Sequence, residues 1–537
     1  MGEYMSLPYR LSRRGLKFGL AVVAGVLFSA GAMSQTASKP RSGGNLNWIV
    51  SPEPALIVPL TTSAGGSCEI GPKIVEGLLT FDFDLNPKPQ LATAWSVSKD
   101  GLKYHFELRK GVKWHDGKDF TSADVAFSIL TIKQYHPRGR STLANVERVE
   151  TPDAHTVDLV LSKPVPYLLT ALAATESPIV PKHLYEGTDI VTNKHNSAPI
   201  GTGPFVFKEW VRGSYVALER NPDYWDKPKP YLDKLTVRFI PDPAARALAL
   251  ESGDADLGGQ AIPLSDVERF KALPKFQVDT WSEPYLGAQQ QLYFNLDSPI
   301  LSKIEVRRAL AGALDINALN KLVWFGYGQV SASSIGTLIT KYHDTSIKPY
   351  PFDLKQSEAA LDAAGYKRGP DGTRFKLRLL WNPFQEKRAS EFVRQSFAKI
   401  GVDAVIENYD FATYVTKAYT ERAFDITLEA LSNMFDPTVG VQRVFWSKNF
   451  KIGLSFANPA HYSNPEVDRL LEATAVEPDE AKRKTQFIEF QNIVYKDIPS
   501  IEFGANPRIV VLAKKVKDYA VTAEGLRGNF ADVYFQE

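Results

Sequence analysis

Asp82, Asp84 and Asn86 space three oxygen donors as the opening of a calcium loop does. Pro87 then stands where such a loop needs its turn glycine, and Thr93 fills the twelfth position in place of a bidentate glutamate. The spacing therefore builds no calcium site. Gly201-Thr202-Gly203 offers two glycines of a nucleotide loop, but no third follows, and the next residues alternate like a strand. G-x-S-x-G, H-E-x-x-H and G-x-x-x-x-G-K-S/T do not occur. The eight histidines are dispersed, none paired at the i, i+4 spacing of a zinc helix. His115-Asp116 reads as a hydrogen-bonded turn pair in preference to a metal ligand. Asp254 and Asp256 form an acid pair of the kind solvated turns carry. A glycosidase-type dyad is decided by separation in space, and nothing in the sequence selects one. No metal or cofactor is implied, and a secreted hydrolase using dispersed carboxylates is the enzymatic alternative.

The elements that would position a site are readable from periodicity. Leu46–Val50 fits a first strand, and Tyr104–Arg109 alternates until Gly111 ends it. Thr121-Ser122-Ala123-Asp124 spells a capping box, with Val125, Ile129 and Ile132 following at helical spacing. Val146–Glu150 and Thr156–Leu161 flank a Pro-Asp turn and predict a hairpin; Pro204–Trp210 and Tyr215–Arg220 predict a second. Leu235–Ile240 and 242–250 read as strand then helix. Val306, Ala309, Leu310, Ala313 and Leu314 mark one helical face. Lys376–Trp381, an apolar helical face from Ala389 to Ile400, Gly401 as C-cap, and Val402–Ile406 predict a parallel pair with a right-handed crossover. Ile501–Leu512 carries strand-like runs that return toward the first part of the chain.

At 537 residues, with 44% hydrophobic and 23% charged, the chain is expected to fold as two or three globular domains. The formal charge is +2, and the first 32 residues carry a surplus of three basic groups, so the remainder is close to neutral. That excludes an electrostatic case for nucleic acid. The same 32 residues read as an export signal: basic residues, an apolar run from Leu20 to Met33 too short to span a bilayer, and a small-residue cleavage site at Ala30-Gly31-Ala32. Ser12-Arg13-Arg14-Gly15-Leu16-Lys17 resembles a twin-arginine signal, with an ordinary secretory signal as the other reading. Cys68 is the only cysteine and lies too far from the apolar run to be a lipidated first residue. The expected product is an unanchored monomer in the periplasm.

Several ordered stretches carry a resemblance. Glu76–Asp82 (EGLLTFD) and Gln90–Val125 are followed by Gly201–Phe205 with Arg220–Trp225, then Glu251–Leu257, then Tyr293–Leu296 with Ile304–Leu310. In this order they resemble the family 5 extracytoplasmic solute-binding proteins, the oligopeptide-, dipeptide- and nickel-binding receptors of ABC importers. The resemblance implies an α/β, two-lobed periplasmic-binding-protein type II fold with an extra subdomain in lobe I, of the cluster C kind. It places lobe I over 45–85, 198–285 and 505–537, the subdomain over 86–197, and lobe II over 286–504. It also implies a non-enzymatic receptor that binds a small solute, peptide, opine or related, and meets an ABC permease and ATPase complex.

The same resemblance selects candidate contacts. Peptide-binding members carry a Trp, then an Asp that anchors the peptide ammonium, ahead of an acidic residue and Pro. Aligned on Asp436-Pro437, the anchor position falls at Asn433 and the Trp position at Ala430. An amide offers an ammonium only a neutral hydrogen bond, so free-amine peptides are expected to bind less well. Ser432 and Asp436 flank that position, Asp436 reading equally as a helix N-cap. Ser63, Gly65 and Gly66 lie in a small-residue loop that reads as a surface turn or a ligand contact. Trp281, Trp324, Phe325, Tyr327, Trp381 and Trp446 supply aromatic surface, some of it expected to line a cleft and the rest to pack in cores.

Overall fold

Asn45–Val50 sits at the centre of a sheet: Leu46 and Trp48 are fully buried, and Ile49 and Val50 nearly so. It pairs in parallel with Lys234–Phe239 on one side and Leu257–Gly259 on the other. The computed structural model describes residues 40–280, 285–505 and 507–536, so the expected export signal and Trp281 lie outside the described residues. The full sheet has seven strands, in the order Phe276–Asp279, Val510–Ala513, Leu257–Gly259, Asn45–Val50, Lys234–Phe239, Tyr215–Arg220, Phe205–Val211. Helix Pro243–Ser252 makes the crossover between the two parallel partners. Asp242 caps it by accepting from the Ala245 N–H at 2.7 Å, and Gly253 at φ +87° ends it.

A four-stranded antiparallel sheet follows in the order Ala92–Val97, Lys103–Leu108, Thr156–Leu161, Val146–Asp153. Helix Ser122–Tyr135 buries Val125, Ile129 and Ile132 in one core with Phe106, Val157 and Leu159. Its capping box forms, Thr121 N–H donating to Asp124 Oδ2 at 2.9 Å. His115 and Asp116 do not pair with each other. His115 accepts from the Gly201 N–H at 3.3 Å and donates to the Gly203 carbonyl at 3.0 Å, while Asp116 holds His183 at 2.7 Å. Burial pushes the His115 imidazole down to about 4. The G-T-G motif belongs to this contact: a Cβ on Gly201 would fall 1.8 Å from the Ile74 carbonyl.

The second lobe is organised by a five-stranded sheet, Val402–Asn408, Phe375–Trp381, Ile426–Ser432, Ala288–Phe294, Ser500–Ala505. Phe375–Trp381 and Val402–Asn408 run parallel, joined by helix Lys387–Lys399, and Gly401 at φ +80° turns the chain. Ala288–Phe294 begins with three glutamines, an unusual start for a buried strand, and each finds a partner. Gln289 Nε2 donates to Ser333 O at 2.7 Å and Glu502 Oε2 at 3.0 Å, Gln290 Nε2 to Gln385 at 3.0 Å, and Gln291 accepts from the Tyr293 hydroxyl.

Two connectors join the sheets. Asp279 and Val510 are register partners in the seven-stranded sheet, and Gln289 and Ala505 are register partners in the five-stranded one. The 501–512 region is therefore divided, Ser500–Ala505 completing the second lobe and Val510–Ala513 inserting into the first.

Candidate functional site

Beside these crossings lies a cavity of about 250 Å³ with walls from both lobes. Gln260, Ile262 and Leu264 come from the first lobe, Gln290, Trp324 and Gln385 from the second, and Pro507 and Ile509 from a connector. Trp324 is otherwise buried, its ring 6.3 Å from Phe503. Trp381 ends its strand and donates through Nε1 to the Gln385 carbonyl at 3.1 Å. Tyr327 reaches the first lobe: its hydroxyl donates to Glu268, and Lys271 donates to it at 3.2 Å and sits 4.6 Å from the ring centre. Phe325, beside it, is 42% exposed.

The strand Ile426–Ser432 carries the chain to the boundary between lobes. Ala430 and Ser432 are half-buried at its end. Asn433 turns inward: its N–H donates to Gly287 O at 2.9 Å, and its side-chain oxygen accepts from the Gly336 N–H. The side-chain oxygen at the anchor position is thus occupied in pinning the loop around Gly336. Met434 and Phe435 then enter the first lobe's core, Phe435 lying 5.1 Å from Tyr285, itself 5.5 Å from Phe81. Asp436 accepts from the Thr438 N–H as N-cap of Pro437–Gly440, and both its oxygens take Arg483 nitrogens at 2.7 Å. Its carboxylate is committed to structure. Trp446 donates to Glu472 at 3.0 Å, away from the Gln260–Gln385 cavity lining.

The small-residue stretch is not a plain loop, because helix Gly65–Ile70 starts inside it. Gly66 is tightly packed there, since a Cβ would lie 3.0 Å from both the Pro52 carbonyl and Pro54 Cδ; Gly65 has open space around it. Ser63 is half-buried just before the helix. Nearby, Arg138 donates to Glu176 through Nε at 2.7 Å and through a second nitrogen.

Periodicity and motif give no hint of one residue at this boundary, Arg443. In Val441-Gln442-Arg443-Val444-Phe445 the apolar members enter a second-lobe core, while Arg443 is half-buried. Among the described residues its side chain makes one hydrogen bond, from Nε to the Gly440 carbonyl at 3.3 Å. Burial pulls its pKa below the ordinary guanidinium value. The one local signal is a cation inside an otherwise apolar turn. Glu429 and Glu502 flank Gln291, one on each of the two strands that border Ala288–Phe294, and burial raises both carboxyls, Glu502 to about 7. Glu429 is met by Tyr414, by Tyr419 at 3.2 Å and by Asn382 at 2.8 Å.

Two lobes, paired crossings and a cavity walled from both sides define a type II solute-binding protein. The chain belongs to the bacterial extracellular solute-binding proteins, family 5, whose family model matches residues 86–451. It is 28% identical over 506 residues to the oligopeptide-binding protein AppA of Bacillus subtilis, covering 89% of each chain. Among solved structures it resembles the periplasmic binding protein DppA of Helicobacter pylori in complex with the peptide STSA, at 28% identity and TM-score 0.76, covering 93% of this chain and 99% of that one. NikZ of Campylobacter jejuni, in complex with Ni(L-His), matches at 27% identity and TM-score 0.75, covering 88% and 95%. The protein is a binding component of transport and not an enzyme, and the hydrolase alternative finds no support in these relatives.

Proposed function

We propose that this protein is the periplasmic receptor of an ABC importer, taking a peptide-like or related small solute between its lobes and presenting it to a permease and ATPase complex. The observation that carries the proposal is the pair of connectors, Asp279 beside Val510 and Gln289 beside Ala505, next to a cavity walled from both lobes. Ligand binding at such a joint favours the closed arrangement by its differential affinity, and the closed surface is what a permease reads. We divide the chain as lobe I over 45–85, 198–285 and 505–537, the extra subdomain over 86–197, and lobe II over 286–504. Residues 1–32 act as the export signal, and no helix among the described residues is long and apolar enough to cross a membrane.

Ser63, Gly65, Gly66, Trp324, Tyr327, Trp381 and Ser432 are assigned to the cleft or its closure, while Asn433, Asp436 and Trp446 support its walls. Asn433 brings no charge, and its oxygen already accepts from Gly336. Capture of a free ammonium at that position therefore lacks its partner. The test is a thermal-shift screen of the mature chain with free-amine peptides, N-acetylated peptides, opines and metal chelates. A ligand at a hundred times its dissociation constant stabilises by about 2.7 kcal/mol. Free-amine dipeptides or tetrapeptides binding at micromolar affinity or better, with loss on Asn433→Ala, would overturn the assignment of Asn433.

A further inference from the structure

Three buried arginines of this protein set a standard for Arg443. Arg483 donates to Asp436, Tyr342, Thr438 and the Thr474 carbonyl, all at 2.7–2.8 Å. Arg307 donates to the carbonyls of Ile498, Leu301, Ser302 and Asp497 at 2.6–2.9 Å. Arg246 reaches Ala261, Ile240, Pro241 and Ser51. Each guanidinium taken from water is repaid by a full set of acceptors, as desolvation requires. Among the described residues the Arg443 side chain makes a single hydrogen bond, at 3.3 Å, and no carboxylate lies within 4 Å of it.

The surrounding charges are already balanced. Arg138, which acts on Arg443 from the first lobe, is paired with Glu176. Glu429, also within electrostatic reach, has three donors of its own, and burial favours its neutral form. The backbone of Arg443 is held in place, its carbonyl accepting from Asn449 at 2.7 Å and from the Asn458 N–H at 3.0 Å. The half-buried Arg443 side chain, in a segment whose Met434 and Phe435 pack into the first lobe's core and whose Val441, Val444 and Phe445 pack into the second's, is left with no carboxylate partner among the described residues.

We propose that Arg443 is the anchor for a carboxylate of the solute, which makes the solute an acid held by its anion and not a peptide held by its ammonium. The assignment rests on the solute-receptor reading above. It gives the planar, bidentate partner that a guanidinium prefers, in a place where the charge is worth more than in water. Asn433, with its oxygen spent on Gly336, leaves the opposite mode without a carboxylate.

The experiment uses the mature chain and matched probes: N-acetyl dipeptides and tetrapeptides and a set of opines as free acids, each beside its carboxamide. Dissociation constants are measured for wild type, Arg443→Gln and Arg443→Lys, with the unliganded melting temperature of each as the folding control. Acids should bind wild type at least about 30-fold more tightly than their carboxamides. Arg443→Gln should lose that preference while leaving carboxamide binding unchanged, and Arg443→Lys should restore part of it. Should Arg443→Gln fail to fold, the acid-to-carboxamide ratio on wild type and the Lys variant still decide. Equal binding of acid and carboxamide, or an acid preference that survives Arg443→Gln, overturns the anchor alone. Binding of none of the probes, with no solute carried through native purification, overturns the receptor reading and the anchor with it.

Discussion

Asp436→Asn separates a structural carboxylate from a ligand contact. The side chains of Asp436 and Arg483 are 5% and 2% exposed and meet through two bonds of 2.7 Å. Breaking a buried pair by removing one charge costs about 3–5 kcal/mol, mostly from the charge left behind. Arg483 keeps Tyr342, Thr438 and the Thr474 carbonyl, and asparagine still caps the helix that begins at Pro437, so the lower end, about 3 kcal/mol, is expected. With an unfolding entropy of about 2.1 cal/mol/K per residue over roughly 500 residues, the melting temperature should fall by about 3 °C. Asp436→Ala also removes the cap and should lose about 1 kcal/mol more. The assay is calorimetry of the unliganded mature chain, repeated with a bound solute. An Asp436→Asn variant that melts with wild type yet loses the solute-induced shift would refute the reasoning, because Asp436 would then serve the solute and not Arg483.

Glu502 is raised from 4.5 to about 7 by burial, against the pull of Ser500 and Gln289. The folded carboxyl therefore holds its proton while the unfolded one ionises, so the contribution of Glu502 to stability falls as pH rises from about 4.5 to about 7 and is constant outside that window. Glu502→Gln should flatten part of that slope in melts across the window; an unchanged slope contradicts it. Gly66→Ala places a Cβ 3.0 Å from the Pro52 carbonyl and should destabilise by about 1–3 kcal/mol, whereas Gly65→Ala meets open space and should melt within about 1 °C of wild type; equal melts would contradict the helix placement. Tyr327→Phe removes the hydroxyl bridge to Glu268 and Lys271. It should weaken solute binding about twofold with no change in melting, and a large loss would mean direct contact with the solute.

Local signals carried much of the fold. Thr121 and Asp124 spell a cap within four residues, and the cap forms; the 375–408 strand, helix and strand form the parallel pair their periods predict. What depended on distant partners was not legible. The three glutamines opening Ala288–Phe294 look unlike a buried strand until Ser333, Glu502 and Gln385 are brought to them. His115 and Asp116 are adjacent in sequence, but Gly203 and His183 are better placed to bond them. The site was partly legible. The family alignment drew attention to 430–436, yet the roles of Asn433 and Asp436 follow from Gly336 and Arg483, far along the chain. Arg443 is defined by the carboxylate it lacks, and no spacing rule registers a missing partner.

The central claim is capture of a small solute between the lobes. Native mass spectrometry of the mature chain, purified from its own periplasm, tests it most directly when the released ligand is identified. The account predicts a one-to-one adduct with a small acidic solute, recovered unchanged. An empty protein that also shows no thermal shift with any solute class, or an adduct that is turned over to product, would contradict it.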